Sequence, residues 1–306
     1  ASLSVKVEAM EWLYNKDPSL IGKVSNDGRT VLYSASFSGK VDAMEWLYNK
    51  DPSLIEKVTN DGQTVLHSAS LIGKVNVMEW IYGKSPSLIK RTMNSADLND
   101  ITTLYLAAQR GHVDAMEWLY KKDPSLIKKA TNQGGTILHA ASFSGKVAAM
   151  EWVHKNDPAL IQKTMNDGMT PLHVAAQQGH LDAMEWIHKK NPNLIRKFQT
   201  DGYTALHAAA QSNKVEALQW VLDKEPLLLK KVKNNGATAL HVAAEAGYLE
   251  TVKWLVDQDP SLLEKKMING WTPYDIALYN NKQNVVDWLS KRSESSENNK
   301  QGCLIS

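Results

Sequence analysis

The chain has 306 residues and carries 35 Lys and Arg against 33 Asp and Glu, a formal net charge of +2. So even a balance sets up no global field for nucleic acid, and the one cysteine, Cys303, excludes an internal disulfide and fits a reducing compartment. No apolar run approaches the roughly 18 residues of a membrane span, and neither a secretory leader pattern nor an Asn-x-Ser/Thr sequon occurs, so a soluble, cytoplasmic chain is expected.

Taken in order, the sequence starts inside a helix, because Ala1 stands where Ala35 stands one period later. Leu3 and Val7 would be poorly covered at such an end, so residues upstream, or a processed terminus, are expected. Tryptophan then marks the period. Trp12, Trp46 and Trp80 are 34 apart, and so are Trp118, Trp152, Trp186, Trp220, Trp254 and Trp288; only the step from Trp80 to Trp118 is longer, at 38. A period of this size belongs to stacked supersecondary units. The four extra residues fall around Ser95–Leu98 and lengthen a turn.

Complete units are expected at 25–58, 59–92, 93–130, 131–164, 165–198, 199–232 and 233–266. Asp167 to Trp186 shows their plan most clearly. Asp167-Gly168 is a tight-turn pair, Thr170 an N-cap, and Pro171 suits a first helical position, where no N–H is needed. Ala175 and Ala176 allow a neighbouring helix to come close, and Gly179 supplies a left-handed stop. Leu181, Met184, Trp186 and Ile187 follow at helical spacing, up to Asn191-Pro192. A last unit, 267–292, has Asn280-Asn281-Lys282 in place of the glycine turn. Ser293 to Gly302 is polar throughout and reads as a linker without a core, so the organisation expected is a repeat array at 1–292 and a tail at 293–306.

Thr170-Pro171-Leu172-His173-Val174-Ala175-Ala176 with Gly179-His180 resembles the ankyrin-repeat signature, and degenerate copies begin at Thr30, Thr64, Thr102, Thr136, Thr204, Thr238 and Thr272. The resemblance covers 1–292. It implies an all-α solenoid of helix-turn-helix units joined by hairpin-like turns, without catalysis or cofactor, whose concave groove takes a protein partner. One departure recurs: after the second helix stands Asp-Pro-Ser-Leu-Ile or a relative, as at Asp51–Ile55 and Asp123–Ile127, where Asp can cap and Pro can start an additional turn.

Four periodic features are candidate sites. His67, His139, His173, His207 and His241 hold one slot, but helices packed roughly 8–10 Å apart cannot bring ligands within about 2 Å of one metal ion; the ankyrin resemblance implies that they bond the neighbouring turn's backbone. The tryptophans share a helix with Met44, Leu47 and their equivalents, so packing between repeats is expected. The residue after the paired small residues, which faces the groove in ankyrin domains, reads Leu3, Phe37, Leu71, Gln109, Phe143, Gln177, Gln211, Glu245 and Tyr279. Large apolar side chains there suggest a contact surface, extended by Met169, Tyr203 and Trp271 at the turn tips; mutual cover along the stack is the alternative. Finally, Lys23, Lys57, Arg91, Lys129, Lys163, Lys197, Lys231 and Lys265 stand eleven residues after the first eight ladder tryptophans. Pairing with acidic turns such as Asp27 and Asp61, solubility, or attraction to an acidic partner or anionic membrane would each explain such a column.

The chain's last four residues, Cys303-Leu304-Ile305-Ser306, resemble a CaaX box of the farnesyl type, which would place the protein at the cytosolic face of a membrane. No Cys/His pair in register, phosphate-cradling glycine loop or HExxH sequence occurs, so no enzyme activity is expected. The function expected is a prenyl-tethered binding scaffold. Two alternatives stay open: a targeting module of an enzyme whose catalytic domain lies upstream, and a groove for a small anionic ligand.

Overall fold

The computed structural model describes residues 7–94 and 99–302. Leu3, the Ser95–Leu98 insertion and Cys303 lie outside the described residues. Among those described, the chain is all-helical, with seventeen α-helices and eight short 3-10 helices, and β structure limited to isolated bridges such as Phe198–Thr204.

Each repeat is built by the same local chemistry. A threonine N-cap opens a first helix of about eight residues; in Pro171–Gln178, the Thr170 hydroxyl accepts from the His173 N–H while His173 reaches back to the cap. That helix stops at Gly179, which takes the left-handed conformation with φ 66°. The requirement is conformational: where the period puts asparagine in this slot, Asn213 and Asn281 also take positive φ, at 53° and 56°. A second helix of ten residues follows, as in Leu181–Lys190. The Asp-Pro segment then forms a 3-10 helix, as in Pro52–Glu56, where the Asp51 carboxylate accepts from the Ser53 N–H at 3.0 Å. This is the additional turn expected from Asp-Pro, wound more tightly than an α-helical one.

The chain divides into two compact units, residues 1–160 and 161–306. In the first, the inner layer is Val31–Ser38, Val65–Ile72, Thr103–Arg110 and Ile137–Ser144. Its core is a file of Leu32, Leu66, Leu104 and Leu138 against Met44, Met78, Met116 and Met150 on the second helices, all fully buried. In the second unit Leu172, Leu206 and Leu240 take the leucine place, and Met184, Leu218 and Val252 the methionine place. Turns lock successive repeats through backbone bonds: Asn60 N–H donates to the Asp27 carbonyl at 3.0 Å, and Thr200 N–H to the Asp167 carbonyl at 2.7 Å.

The last helix, Gln283–Gly302, runs past 292, its backbone helical into the stretch read as a linker. The reason is local. No proline or glycine interrupts it before Gly302, and Glu, Lys and Gln offset the weaker helix formers Ser and Asn.

Candidate partner-binding surface

From Val31–Ser38 to Ala239–Ala246 the paired small residues of the first helices pack inward and the next position is exposed or partly exposed, whereas in Pro273–Tyr279 Leu278 of the pair is itself exposed. In the first unit Phe37 is 53% exposed and Phe143 is 43% exposed, with Leu71 and Gln109 partly exposed. Apolar rings held this far into water are unfavourable unless something covers them. In the second unit the slot is polar and bonded along the stack: Gln177 Nε2 donates to Gln211 Oε1 at 2.8 Å, and the Tyr203 hydroxyl donates to the same oxygen at 2.7 Å. Glu245 and Tyr279 close this row and are exposed.

The turn tips differ from the expected exposed set. Tyr203 is only 7% exposed, so it is corrected from a surface contact to a packed residue. Its ring lies back over the histidine shelf, 5.6 Å from His207 and 6.5 Å from His173 between centroids, with the Lys233 ammonium 5.3 Å from its own centroid. Burial raises its phenol pKa accordingly. Met169 is half-buried. Trp271, also half-buried, packs at a tilt against exposed Tyr279, with ring centroids 4.9 Å apart.

The histidines hold backbone. Nδ1 of His67, His139, His173, His207 and His241 accepts from the N–H of its own cap threonine, at 3.2–3.3 Å. That fixes the proton on Nε2, which in His207 and His241 donates at 3.2 Å to the carbonyls of Ala237 and Trp271 in the following repeat. The expected link to the neighbouring turn is thus present in these two. Burial pushes the His67 and His207 pKa down to about 4. Among the described residues no cluster of three or more His, Cys, Asp or Glu is placed to hold a metal ion.

The tryptophan ladder interlocks repeats across the outer helices. Trp152 is met edge-on by Tyr120 at 5.5 Å, and His188 takes the tyrosine's part against Trp220 at 5.6 Å. The indole N–H of Trp152 donates to Glu117 at 2.7 Å and that of Trp220 to Glu185 at 2.9 Å, each glutamate one repeat earlier. Those indole bonds, ahead of the nearby lysines, hold both carboxyls below their ordinary pKa. Lysines cap the rings, as Lys84 does 4.8 Å over Tyr48 and 5.5 Å over Trp80. Sequence reasoning missed this arrangement, although its signal is plain: Glu-Trp recurs as a dipeptide with Tyr or His two places on.

All eight column residues, Lys23 to Lys265, are exposed. All eight stand just past a 3-10 helix, and seven of them have their N–H bonded to its leucine carbonyl, as Lys57 to Leu54 at 3.3 Å. A cation there faces the carbonyl end of the turn, which is favourable in itself. The expected pairing with the acidic turns is not formed: Asp27 pairs with Arg29 at 3.0 Å, and Asp61 accepts from Gln63 at 2.6 Å. Among the described residues no column side chain makes an ion pair. Among the described residues no helix is long and apolar enough to cross a membrane.

Stacked helix-turn-helix units with buried structural histidines define a helical-repeat protein. The family model for ankyrin repeats, three copies long, matches residues 1–91, 78–159, 148–228, 188–263 and 225–301, and the chain belongs to the ankyrin-repeat family. No curated protein matches the chain. Ankyrin repeats form a protein–protein interaction module that is generally non-catalytic.

Proposed function

We propose that the chain is a scaffold that binds a protein partner through the first-helix slot, and that a farnesyl group on Cys303 tethers it to the cytosolic face of a membrane. The observation that carries the binding surface is the exposure of Phe37 and Phe143 beside Leu71 and Gln109 in the first unit. In the second unit Gln177, Met169 and Trp271 are the candidate contact residues. The Phe37→Ser, Leu71→Ser, Phe143→Ser variant tests it: the partner recovered with wild type by affinity capture from native cells is lost. Partner capture unchanged by the triple substitution would refute this surface.

The tether rests on Cys303-Leu304-Ile305-Ser306 and needs Ser306 to carry the free C-terminus. A single lipid binds only marginally, and each column cation that reaches an anionic surface would add about 1 kcal/mol. Helical backbone from 293 to 302 rises about 15 Å, which keeps the last repeat near the bilayer. Cys303→Ser is expected to move the protein from membrane to soluble fractions in farnesyltransferase-containing cells, and raised salt to release part of the wild type. Identical fractionation of both forms, or an unmodified C-terminal mass, would refute the tether.

A further inference from the structure

The repeats provide an internal comparison, since each position has equivalents 34 residues away. The residue after the 3-10 proline is Ser19, Ser53, Ser87, Ser125, Ala159, Asn193 and Ser261 in seven repeats; in the eighth it is Leu227. The residue after the basic column is Val24, Val58, Thr92, Ala130, Thr164, Val232 and Lys266; in the remaining repeat it is Phe198. At these two positions the largest apolar departures therefore stand in adjacent repeats, and neither serves the core. Phe198 is 67% exposed and Leu227 is 72% exposed.

They share a groove. Phe198, Leu227 and Val232 line a cavity of about 610 Å3 together with Arg196, Glu225 and Lys231, and no first-helix slot residue contributes to it. A pocket of this volume accepts one or two large side chains. Its rim is electrostatically uneven. Arg196 Nε meets Glu225 at 2.5 Å, which occupies the one carboxylate, whereas Lys231 is exposed and makes no ion pair among the described residues. The groove thus presents an apolar wall beside an uncompensated ammonium and the remaining N–H groups of Arg196, the complement of an apolar residue next to an acidic one.

We propose that this groove is a second docking site, distinct from the first-helix slot, for a short segment of a protein partner: an aromatic or branched aliphatic side chain seated against Phe198 and Leu227, with a neighbouring Asp or Glu on Lys231. Its restriction to one pair of repeats gives the array a fixed register for that partner, which the periodic basic column cannot supply.

The test uses the full chain and a phage-displayed random dodecapeptide library. Selection against wild type should enrich peptides with a large apolar residue beside Asp or Glu. The enriched peptide, followed by fluorescence anisotropy, should bind Phe198→Thr, Leu227→Ser roughly tenfold or more weakly. Both replacements are residues that sibling repeats carry, so circular dichroism and melting should not change; Leu227→Ser alone, at a solvent-facing position, serves if the double variant melts early. Lys231→Glu should weaken the acidic peptide and strengthen its Asp-to-Lys counterpart. The proposal is overturned if no such peptide is enriched, or if the peptides bind the double variant as tightly. It is equally overturned if wild type dimerises in sedimentation while the double variant does not, or if the two substitutions abolish binding to phosphatidylserine vesicles and no peptide competes.

Discussion

The indole N–H of Trp152 donates to the carboxylate of Glu117 at 2.7 Å, 35 residues earlier in the chain and one repeat back. Tyr120 lies edge-on to the same indole, so one side chain is held by a charged acceptor and an aromatic ring, both presented by Val113–Lys122. The bond joins neighbours in the stack and is absent from any isolated repeat. Cohesion of this kind is what a repeat array depends on.

Trp152→Ala should therefore destabilise by about 3–5 kcal/mol, the range for a large buried side chain. Trp152→Phe keeps an aromatic ring of smaller size and loses the donor, and should cost about 1–2 kcal/mol. Trp271→Ala, at a half-buried turn, should cost clearly less than Trp152→Ala. Urea titrations followed by circular dichroism rank the three; equal losses for Trp152→Ala and Trp271→Ala would contradict the placement of the ladder.

Stability should fall as the pH drops from 6.5 to 4. His67 and His207 titrate near 4 in the folded chain because burial penalises their charged form, against about 6.5 when unfolded. Between those values the unfolded chain binds protons that the folded chain refuses, so stability rises with pH across that window and is fully present above it. Each histidine contributes on the order of 3 kcal/mol over the whole range. His207→Gln, which cannot titrate, should lose less stability than wild type between pH 7 and 5; an unchanged pH slope would contradict the assignment.

Replacing Phe37, Leu71 and Phe143 together by Ser should leave the far-ultraviolet spectrum and the melting temperature nearly unchanged, because two of the three are held in solvent already. A large drop in melting temperature would place them in the core and remove the proposed surface.

Asn213 occupies the left-handed slot that glycine fills in most repeats, at φ 53°. Asn213→Gly should be neutral or stabilise by up to about 1 kcal/mol. Gly179→Ala, at φ 66° with a new Cβ 3.1 Å from that of Ser212, should destabilise by about 1–2 kcal/mol. Thermal melts of the two variants should move in opposite directions or leave only the alanine form shifted.

Much of this architecture is local and hence legible in the chain. Threonine caps, positive-φ stops and Asp-Pro turns act over three or four residues, so the period, the helix order and the slot that holds Phe37 and Phe143 follow from one-dimensional pattern. What escaped was set between repeats. Tyr203 sits at a turn tip in sequence, yet the shelf made by His173 and His207 draws its ring inward. Glu117 looks like a solvated helix acid until the next repeat places an indole N–H against it. Phe198 and Leu227 are 29 residues apart and unremarkable singly; only the packing of one repeat on the next brings them to one groove. A side chain's local conformation depends on its chain neighbours, whereas its burial and partners depend on surfaces that exist only after stacking. That is why the sequence by itself determined the repeat, and the tertiary structure alone decided which of its side chains face water.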